Sequence, residues 1–189
     1  MSHNLNSTIN DAAKAFLQGG IIAYPTEAVF GLGCDPDNDS AIRKLLSLKQ
    51  RSADKGLILL ASHYSQLQPY INELEISAQQ KSLILSRWPG AITQILPANH
   101  HISPLLSGVF DTIAVRVTDH PDVIALCNKT GKAIISTSAN LSGKPAAKTW
   151  HAVLQQFPTQ LDYLIKTETL GRENPSTIID GISNCIVRG

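Results

Sequence analysis

Apolar and polar positions along the chain follow two different periods, which predicts helices and strands in alternation. Five segments carry apolar side chains at helical spacing, as helices packed on a core do. They are residues 7–18, 40–49, 77–88, 120–130 and 149–157. Eight shorter segments are continuously apolar or alternate apolar with polar residues, as strands do. They are residues 21–23, 57–61, 91–96, 112–118, 132–136, 161–166, 176–180 and 184–187.

This order of elements indicates the fold class. Strands and helices alternate through the middle of the chain and strands dominate its end, which is typical of an α/β domain. We expect a strongly twisted, mixed and mostly parallel sheet flanked by helices. With 189 residues and no linker or repeat, the chain is predicted to form one domain over residues 1–189. The predicted helix N-caps are Asn6 or Ser7, Ser40, Ser77, Asp119 and Thr149.

The stretch from Ile21 to Cys34 is the candidate functional core. Its first strand is predicted to end at Tyr24, because Pro25 has no N–H to give to a ladder. Thr26–Glu27 then follow the strand's carboxyl end, where ligands bind in open α/β sheets. Gly31–Gly33 allows the backbone to approach a ligand closely. An ordinary strand-to-loop turn explains the stretch equally well.

The strand 112–118 places an arginine among apolar neighbours. Ile113, Val115 and Val117 share one face, and Arg116 lies on the other. Arginine is rarely buried without an anionic partner. Arg116 is therefore predicted to contact either a ligand or a carboxylate in a structural ion pair.

Two polar segments add candidate chemistry. Lys49, Arg51 and Lys55 lie in a basic run after a helix, where attraction to the helix dipole is a structural alternative to ligand binding. Residues 136–143, STSANLSG, offer many neutral donors at a strand's carboxyl end, which suits phosphate or carboxylate oxygens. A plain serine-rich turn is the alternative there.

Composition narrows the possible functions. Hydrophobic residues make up 43% and charged residues 16%, with a net charge of +1, which excludes a strongly basic nucleic-acid binder of the usual kind. Three widely spaced cysteines and the adjacent pair His100–His101 predict neither a metal site nor a disulfide framework. No signal pattern or membrane-length apolar run is present, so we expect a cytoplasmic protein without membrane contact.

Six ordered blocks resemble the YrdC-like family of threonylcarbamoyl-AMP synthases. They are YPTEAVFGLG at 24–33, KQRSADKGLILL at 49–60, SRWPGAIT at 86–93, IAVRVTDHP at 113–121, STSANLSG at 136–143 and PSTIID at 175–180. The resemblance implies a YrdC/RibB-like fold with a concave basic cavity. It implies a nucleotidyltransferase that joins L-threonine, bicarbonate and ATP into L-threonylcarbamoyladenylate and pyrophosphate. A downstream tRNA-modifying transferase complex would use that product to form N6-threonylcarbamoyladenosine.

The resemblance also implies roles for individual residues. The phosphate-binding and catalytic residues would be Lys49, Arg51 and Lys55. Threonine would be held by Thr26, Arg116, Ser138 and Ser176. Further ATP contacts would come from Thr93, Asn140, Ser142 and Arg188. No protein ligand set for a metal is identifiable, and Mg²⁺ would accompany the phosphates of ATP.

Three positions depart from the family pattern. Ser52 and Gly56 stand where many members have proline, so the basic loop is expected to be more mobile in this chain. Leu60 stands where some members have a histidine of the threonine pocket.

The chemistry itself requires fixed cations. ATP, a carboxylate and a carbamate are all anionic, and two unit charges about 4 Å apart repel by about 4 kcal/mol at an effective dielectric near 20. Five basic residues converging on one cavity would offset this repulsion: Lys49, Arg51, Lys55, Arg116 and Arg188. Two other functions stay open. One is a ribosome or tRNA maturation factor that binds double-stranded RNA or tRNA without its own chemistry. The other is a carbamoyl-phosphate-dependent transferase.

Overall fold

The computed structural model describes residues 5–188, which form six α-helices and nine strands. The helices are α1 (Leu5–Leu17), α2 (Asp39–Lys49), α3 (Ala78–Ser86), α4 (Pro104–Ser107), α5 (Pro121–Thr130) and α6 (Trp150–Gln156). The strands are β1 (Ile22–Pro25), β2 (Phe30–Gly33), β3 (Ile58–Ala61), β4 (Ile92–Pro97), β5 (Thr112–Val117), β6 (Ile134–Ser138), β7 (Tyr163–Leu164), β8 (Thr177–Asp180) and β9 (Ile186–Arg188).

All nine strands join one sheet in the order β7-β1-β2-β6-β3-β5-β4-β8-β9. The predicted mixed α/β fold is confirmed. Its parallel pairs are fewer than the sequence predicts: β1–β7, β3–β5 and β4–β8 are parallel, and the other five pairings are antiparallel. The physical reason is visible at β1 and β2, because a connection of four residues can only reverse the chain.

The β1–β2 region corrects two expectations. Strand β1 continues through Pro25, which pairs in register with Phe30, instead of ending at Tyr24. Gly31–Gly33 is not a turn but part of β2. A Cβ on Gly33 would lie 2.0 Å from the carbonyl oxygen of Ile135 and 3.0 Å from the ring of Tyr24. Glycine is therefore needed here for close packing between strands.

Apolar side chains form a core on each face of the sheet. The larger one gathers residues from α2 and from one side of β3 and β5, such as Leu45, Leu59 and Val115. The smaller one lies under α1 and α5 and includes Phe16 and Leu60. Adjacent residues of β3 thus enter different cores, so this strand is covered on both faces, as the continuous apolar run of residues 57–61 predicts.

Of the five predicted helix N-caps, two are confirmed, and Asn6 and Ser7 lie inside α1 instead of preceding it. Ser77 forms a capping box with Gln80, and the Thr149 hydroxyl accepts from the N–H of Ala152. The other two caps are not Ser40 and Asp119 but Asn38 and His120, whose side chains accept from N–H groups in the first turns of α2 and α5. Among residues 5–188, no helix combines the length and apolar character that crossing a bilayer requires.

Candidate active site

A cavity of about 550 Å³ opens at the carboxyl end of β1 and is walled by β5, β6, β8 and β9. Seven residues predicted as site residues line it: Thr26, Arg51, Lys55, Arg116, Ser138, Ser176 and Arg188. They come from six separate sequence segments. The cavity therefore brings these polar blocks of the sequence together, and four of its lining residues are cationic.

Lys49 does not line this cavity but braces one wall. It is buried, and its ammonium donates to the carbonyl oxygens of Ser138 and Asn140 and to Asn140 Oδ1. Burial, and secondarily the charge of Arg51, lower the pKa of Lys49 to about 8. Lys49 thus fixes the loop after β6 against the end of α2.

The loop after β6 is held by its own side chains as well. The Ser138 hydroxyl donates to Asn140 Oδ1 at 2.6 Å, and Asn140 Nδ2 donates to the carbonyl oxygens of Leu141 and Lys144. Neither Asn140 nor the exposed Ser142 lines the cavity. This loop presents Ser138 to the cavity and uses Asn140 to keep its shape.

Thr93 lies behind the cavity wall. Its side chain is fully buried, and its hydroxyl is 2.9 Å from that of Ser176, which does line the cavity. Thr93 therefore supports Ser176 and does not itself line the cavity.

The basic loop after α2 is built around Arg51. Its guanidinium donates through Nη2 to the carbonyl oxygen of Gly56 at 2.9 Å, while Nε is buried and makes no hydrogen bond within the described residues. Burial lowers the pKa of Arg51. The exposed side chain of Lys55 lies on the same rim.

This loop is also tied to α4 and to the segment that follows that helix. The N–H of Leu57 donates to Leu106 O at 2.8 Å, and the N–H of Val109 donates to Asp54 O at 3.3 Å. Gly56 adopts φ of 62°, a conformation that proline cannot take. The expectation that this loop is more mobile than in its relatives stays a prediction.

Arg116 is buried in a salt bridge and lines the cavity as well. Its Nη2 lies 3.2 Å from Glu27 Oε2, and Glu27 Oε1 accepts from the Thr118 hydroxyl at 2.7 Å. Burial lowers the pKa of Arg116 and works to raise that of Glu27. The charge of Arg116 and the Thr118 hydrogen bond outweigh burial at Glu27, whose pKa lies below its usual value.

Glu27 is not among the site residues that the sequence predicts. Its place at the carboxyl end of β1 and the need of Arg116 for an anion are both predicted, but no local pattern in the sequence pairs the two residues. Phe110, an exposed aromatic residue on the cavity rim, was also missed. Leu60, by contrast, lies in the smaller core and is not a lining residue. Ile58 lines the cavity instead.

A strap of irregular chain, residues 167–175, passes beside the cavity. The N–H of Leu170 donates to Thr26 O, and the N–H of Arg172 donates to Glu27 O. Arg172 also lies 3.6 Å from Asp119 across an ion pair. No group of three or more His, Cys, Asp or Glu side chains in the described part of the chain is arranged to hold a metal.

Curated relatives are identical to this chain at about half of the aligned positions, over most of its length. Threonylcarbamoyl-AMP synthase from Photobacterium profundum is 52% identical over 95% of this chain and 97% of its own length. The protein of the same name from Vibrio parahaemolyticus is 52% identical over 93% and 95%.

Solved structures share the fold. The Sua5 protein of P. abyssi, solved as a complex with L-threonine, has a TM-score of 0.84 and 31% identity over 91% of this chain. This chain spans about half the length of that protein. E. coli YciO has a TM-score of 0.84 and 25% identity, covering 98% of this chain and 89% of its own.

The family itself follows from a match over most of the sequence. The model of the Sua5/YciO/YrdC family, described as "Telomere recombination", matches residues 14–189. This chain therefore belongs to the Sua5/YciO/YrdC family.

Proposed function

We propose that this protein is a threonylcarbamoyl-AMP synthase, which forms L-threonylcarbamoyladenylate and pyrophosphate from L-threonine, bicarbonate and ATP. The observation that carries the proposal is the convergence of Arg51, Lys55, Arg116 and Arg188 on one cavity of about 550 Å³. A protein with a net charge of only +1 gathers four cations there. Polyanionic substrates explain this concentration of charge.

The reaction would proceed in two steps. The amine of threonine first adds to the carbon of bicarbonate with loss of water, or to CO₂ with loss of a proton, giving a carbamate. A carbamate oxygen then attacks the α-phosphorus of ATP, and the bond from that phosphorus to the bridging oxygen breaks to release pyrophosphate. Such transfers depend mainly on alignment and on stabilisation of charge, not on a covalent enzyme intermediate.

The lining residues divide between these tasks. Arg51 and Lys55, on adjoining parts of one loop, would neutralise the triphosphate, and Arg188 would extend this charge along the rim. Arg116 would hold the threonine carboxylate from β5, and the hydroxyls of Thr26, Ser138 and Ser176 line the same cavity. Lys49 would act through the loop that it braces.

Mg²⁺ fits this proposal as a companion of ATP. Because residues 5–188 supply no metal-ligand cluster, phosphate oxygens would hold the ion and its bound water would complete the coordination. The protein residues then face a partly neutralised triphosphate.

The product defines the next partner. A mixed anhydride of a carbamate and AMP is an activated acyl donor, so a second enzyme must accept it before water does. We propose that this partner is a tRNA-modifying transferase complex and that the handover occurs in the cytoplasm. The three free cysteines agree with such a reducing compartment.

Pyrophosphate release tests the proposed function. The complete reaction should release pyrophosphate, and omission of threonine, bicarbonate or ATP should each abolish the release. Arg51→Ala should slow release at least 10-fold, because a charge-assisted contact contributes about 1.5 to 3 kcal/mol. Arg43→Ala is the matched control, since Arg43 is exposed on α2 and pairs only weakly with Asp39.

Two results would contradict the proposal. Release that does not depend on threonine would exclude the reaction. RNA binding with a steep salt dependence and no ATP turnover would favour the RNA-binding alternative.

A further inference from the structure

The salt bridge between Glu27 and Arg116 lies in the cavity wall. The two residues are 1% and 6% exposed, and both line the cavity. A buried ion pair stabilises a fold only weakly, because the loss of hydration offsets most of the attraction. Its position in the wall therefore points to a role in ligand binding.

The guanidinium of Arg116 has binding capacity left over. One of its terminal nitrogens faces Glu27, while Nε is buried and makes no hydrogen bond to any described residue. That Nε–H is not exposed at the cavity surface, but the residue lines the cavity, so a ligand carboxylate there would be bound by the terminal N–H groups of the guanidinium.

Glu27 is itself held in place from two sides. The Thr118 hydroxyl donates to Glu27 Oε1 at 2.7 Å, and the N–H of Arg172 donates to the Glu27 carbonyl oxygen at 2.9 Å. The carboxylate thus has a fixed position at the start of the β1–β2 connection. A fixed anion can set the orientation of a long, flexible arginine side chain.

Proton transfer is the competing role for a buried carboxylate in such a cavity. Although burial works to raise the pKa of Glu27, Arg116 and Thr118 keep it below the usual value. A carboxylate that holds its proton so weakly is a poor base for an ammonium group. The geometry and the charge both favour an electrostatic role.

We propose that Glu27 is a positioning residue, which orients the guanidinium of Arg116 so that its free N–H groups face the carboxylate of the amino-acid substrate. This inference rests on the proposed function, because it assumes that the cavity binds threonine. By orienting Arg116, Glu27 would favour amino-acid substrates that carry a free carboxylate.

The test compares L-threonine with L-threonine amide, which keeps the amine and the hydroxyl and lacks the carboxylate charge. For the wild type, kcat/KM from pyrophosphate release should favour threonine about 10- to 100-fold, as a charge-assisted contact predicts. In Glu27→Gln this preference should fall at least about 10-fold. The KM for threonine should rise, and the KM for ATP should stay unchanged.

Three other variants separate positioning from a general loss of structure. Thr118→Val keeps both charges and removes one hydrogen bond, so it should reduce the preference by less. Glu27→Asp should retain part of the preference for threonine. If Glu27→Gln does not fold, Thr118→Val and Glu27→Asp still test the proposal. Asp35→Asn is the matched control, because Asp35 is a buried carboxylate paired with Lys132 at 2.8 Å and does not line the cavity.

The outcomes distinguish this inference from the proposed function. A wild type that shows no threonine-dependent release contradicts both. An active wild type whose Glu27 variants lose activity equally on threonine and on the amide overturns the positioning role alone. A loss confined to kcat, with the KM for threonine unchanged, overturns it too and assigns Glu27 to proton transfer.

Discussion

The ammonium of Lys49 lies 3.0 Å from the carbonyl oxygen of Asn140, so the end of α2 is joined to the loop after β6. Ninety residues of sequence separate the two segments, and the family resemblance predicts that both contact ATP. The contact shows that one of these segments holds the other in shape. The contact keeps a charged ammonium buried, so the stability of the fold should depend on the pH at which Lys49 loses its proton.

The first prediction concerns stability against pH. The pKa of Lys49 is about 8 in the folded protein, whereas the unfolded chain has the ordinary lysine value of 10.5. Below pH 8 both states hold the proton, and the folded state bears the full cost of burying the charge. As the pH rises from 8 toward 10.5, the folded state releases its proton first and this cost disappears.

Relative to Lys49→Met, the wild type should therefore gain up to about 3 kcal/mol of unfolding free energy across that window. Urea unfolding of both proteins at a series of pH values measures the difference. A difference that stays constant above pH 8 would show that Lys49 has an ordinary pKa.

The second prediction concerns the hydroxyl pair of Thr93 and Ser176. Thr93→Val keeps the shape of the side chain and leaves the Ser176 hydroxyl without its partner, which should cost about 1 to 3 kcal/mol. The KM for substrates should rise as well, because Ser176 lines the cavity. Thr130→Val removes a comparable hydroxyl from the end of α5 and should affect stability only. Equal kinetic effects of the two substitutions would rule out a supporting role for Thr93.

A third prediction concerns Gly33. An alanine Cβ would lie 2.0 Å from the Ile135 carbonyl oxygen, so β2 and β6 must separate to accept it. Gly33→Ala should lower the unfolding free energy by at least about 3 kcal/mol. In Gly143→Ala the new Cβ would lie more than 4 Å from every described atom outside its two neighbouring residues. The positive φ of 76° alone should lower the unfolding free energy, by about 1 to 2 kcal/mol. Thermal unfolding compares the two, and a similar loss in both would contradict the close strand packing.

The fourth prediction concerns the choice of amino acid. Serine lacks only a methyl group, and its rejection can yield only about 1 to 3 kcal/mol, whereas valine would leave a hydroxyl partner in the cavity unpaired and can be rejected 10⁴-fold or more. Serine should therefore be used more readily than valine in pyrophosphate release. Comparable activity with both amino acids would argue against a pocket that binds the threonine hydroxyl.

Local patterns in the sequence were enough to locate most elements. The capping box at Ser77 and the alternation from Thr112 to Val117 both appear in the structure, because each depends on residues only a few positions apart. Six of the predicted site residues in the family blocks line one cavity, and Arg188, which the resemblance also implies, lines it as well.

Other features depend on segments that are distant in sequence. The Gly31–Gly33 run became a strand because the Tyr24 ring and β6 pack against it, and Thr93 turned toward Ser176 instead of the cavity. Arg116 was recognised as needing an anion, but nothing near it in sequence indicated Glu27.

The sequence by itself determined the class of fold, the places where strands and helices form, and the set of cations that a polyanionic reaction requires. These depend on side-chain periodicity and composition, which act locally. The tertiary structure alone decided which strands are neighbours, which cations face the cavity and which brace its walls. Those outcomes depend on pairing and packing between distant segments, because burial favours arrangements in which charges and hydroxyls have partners.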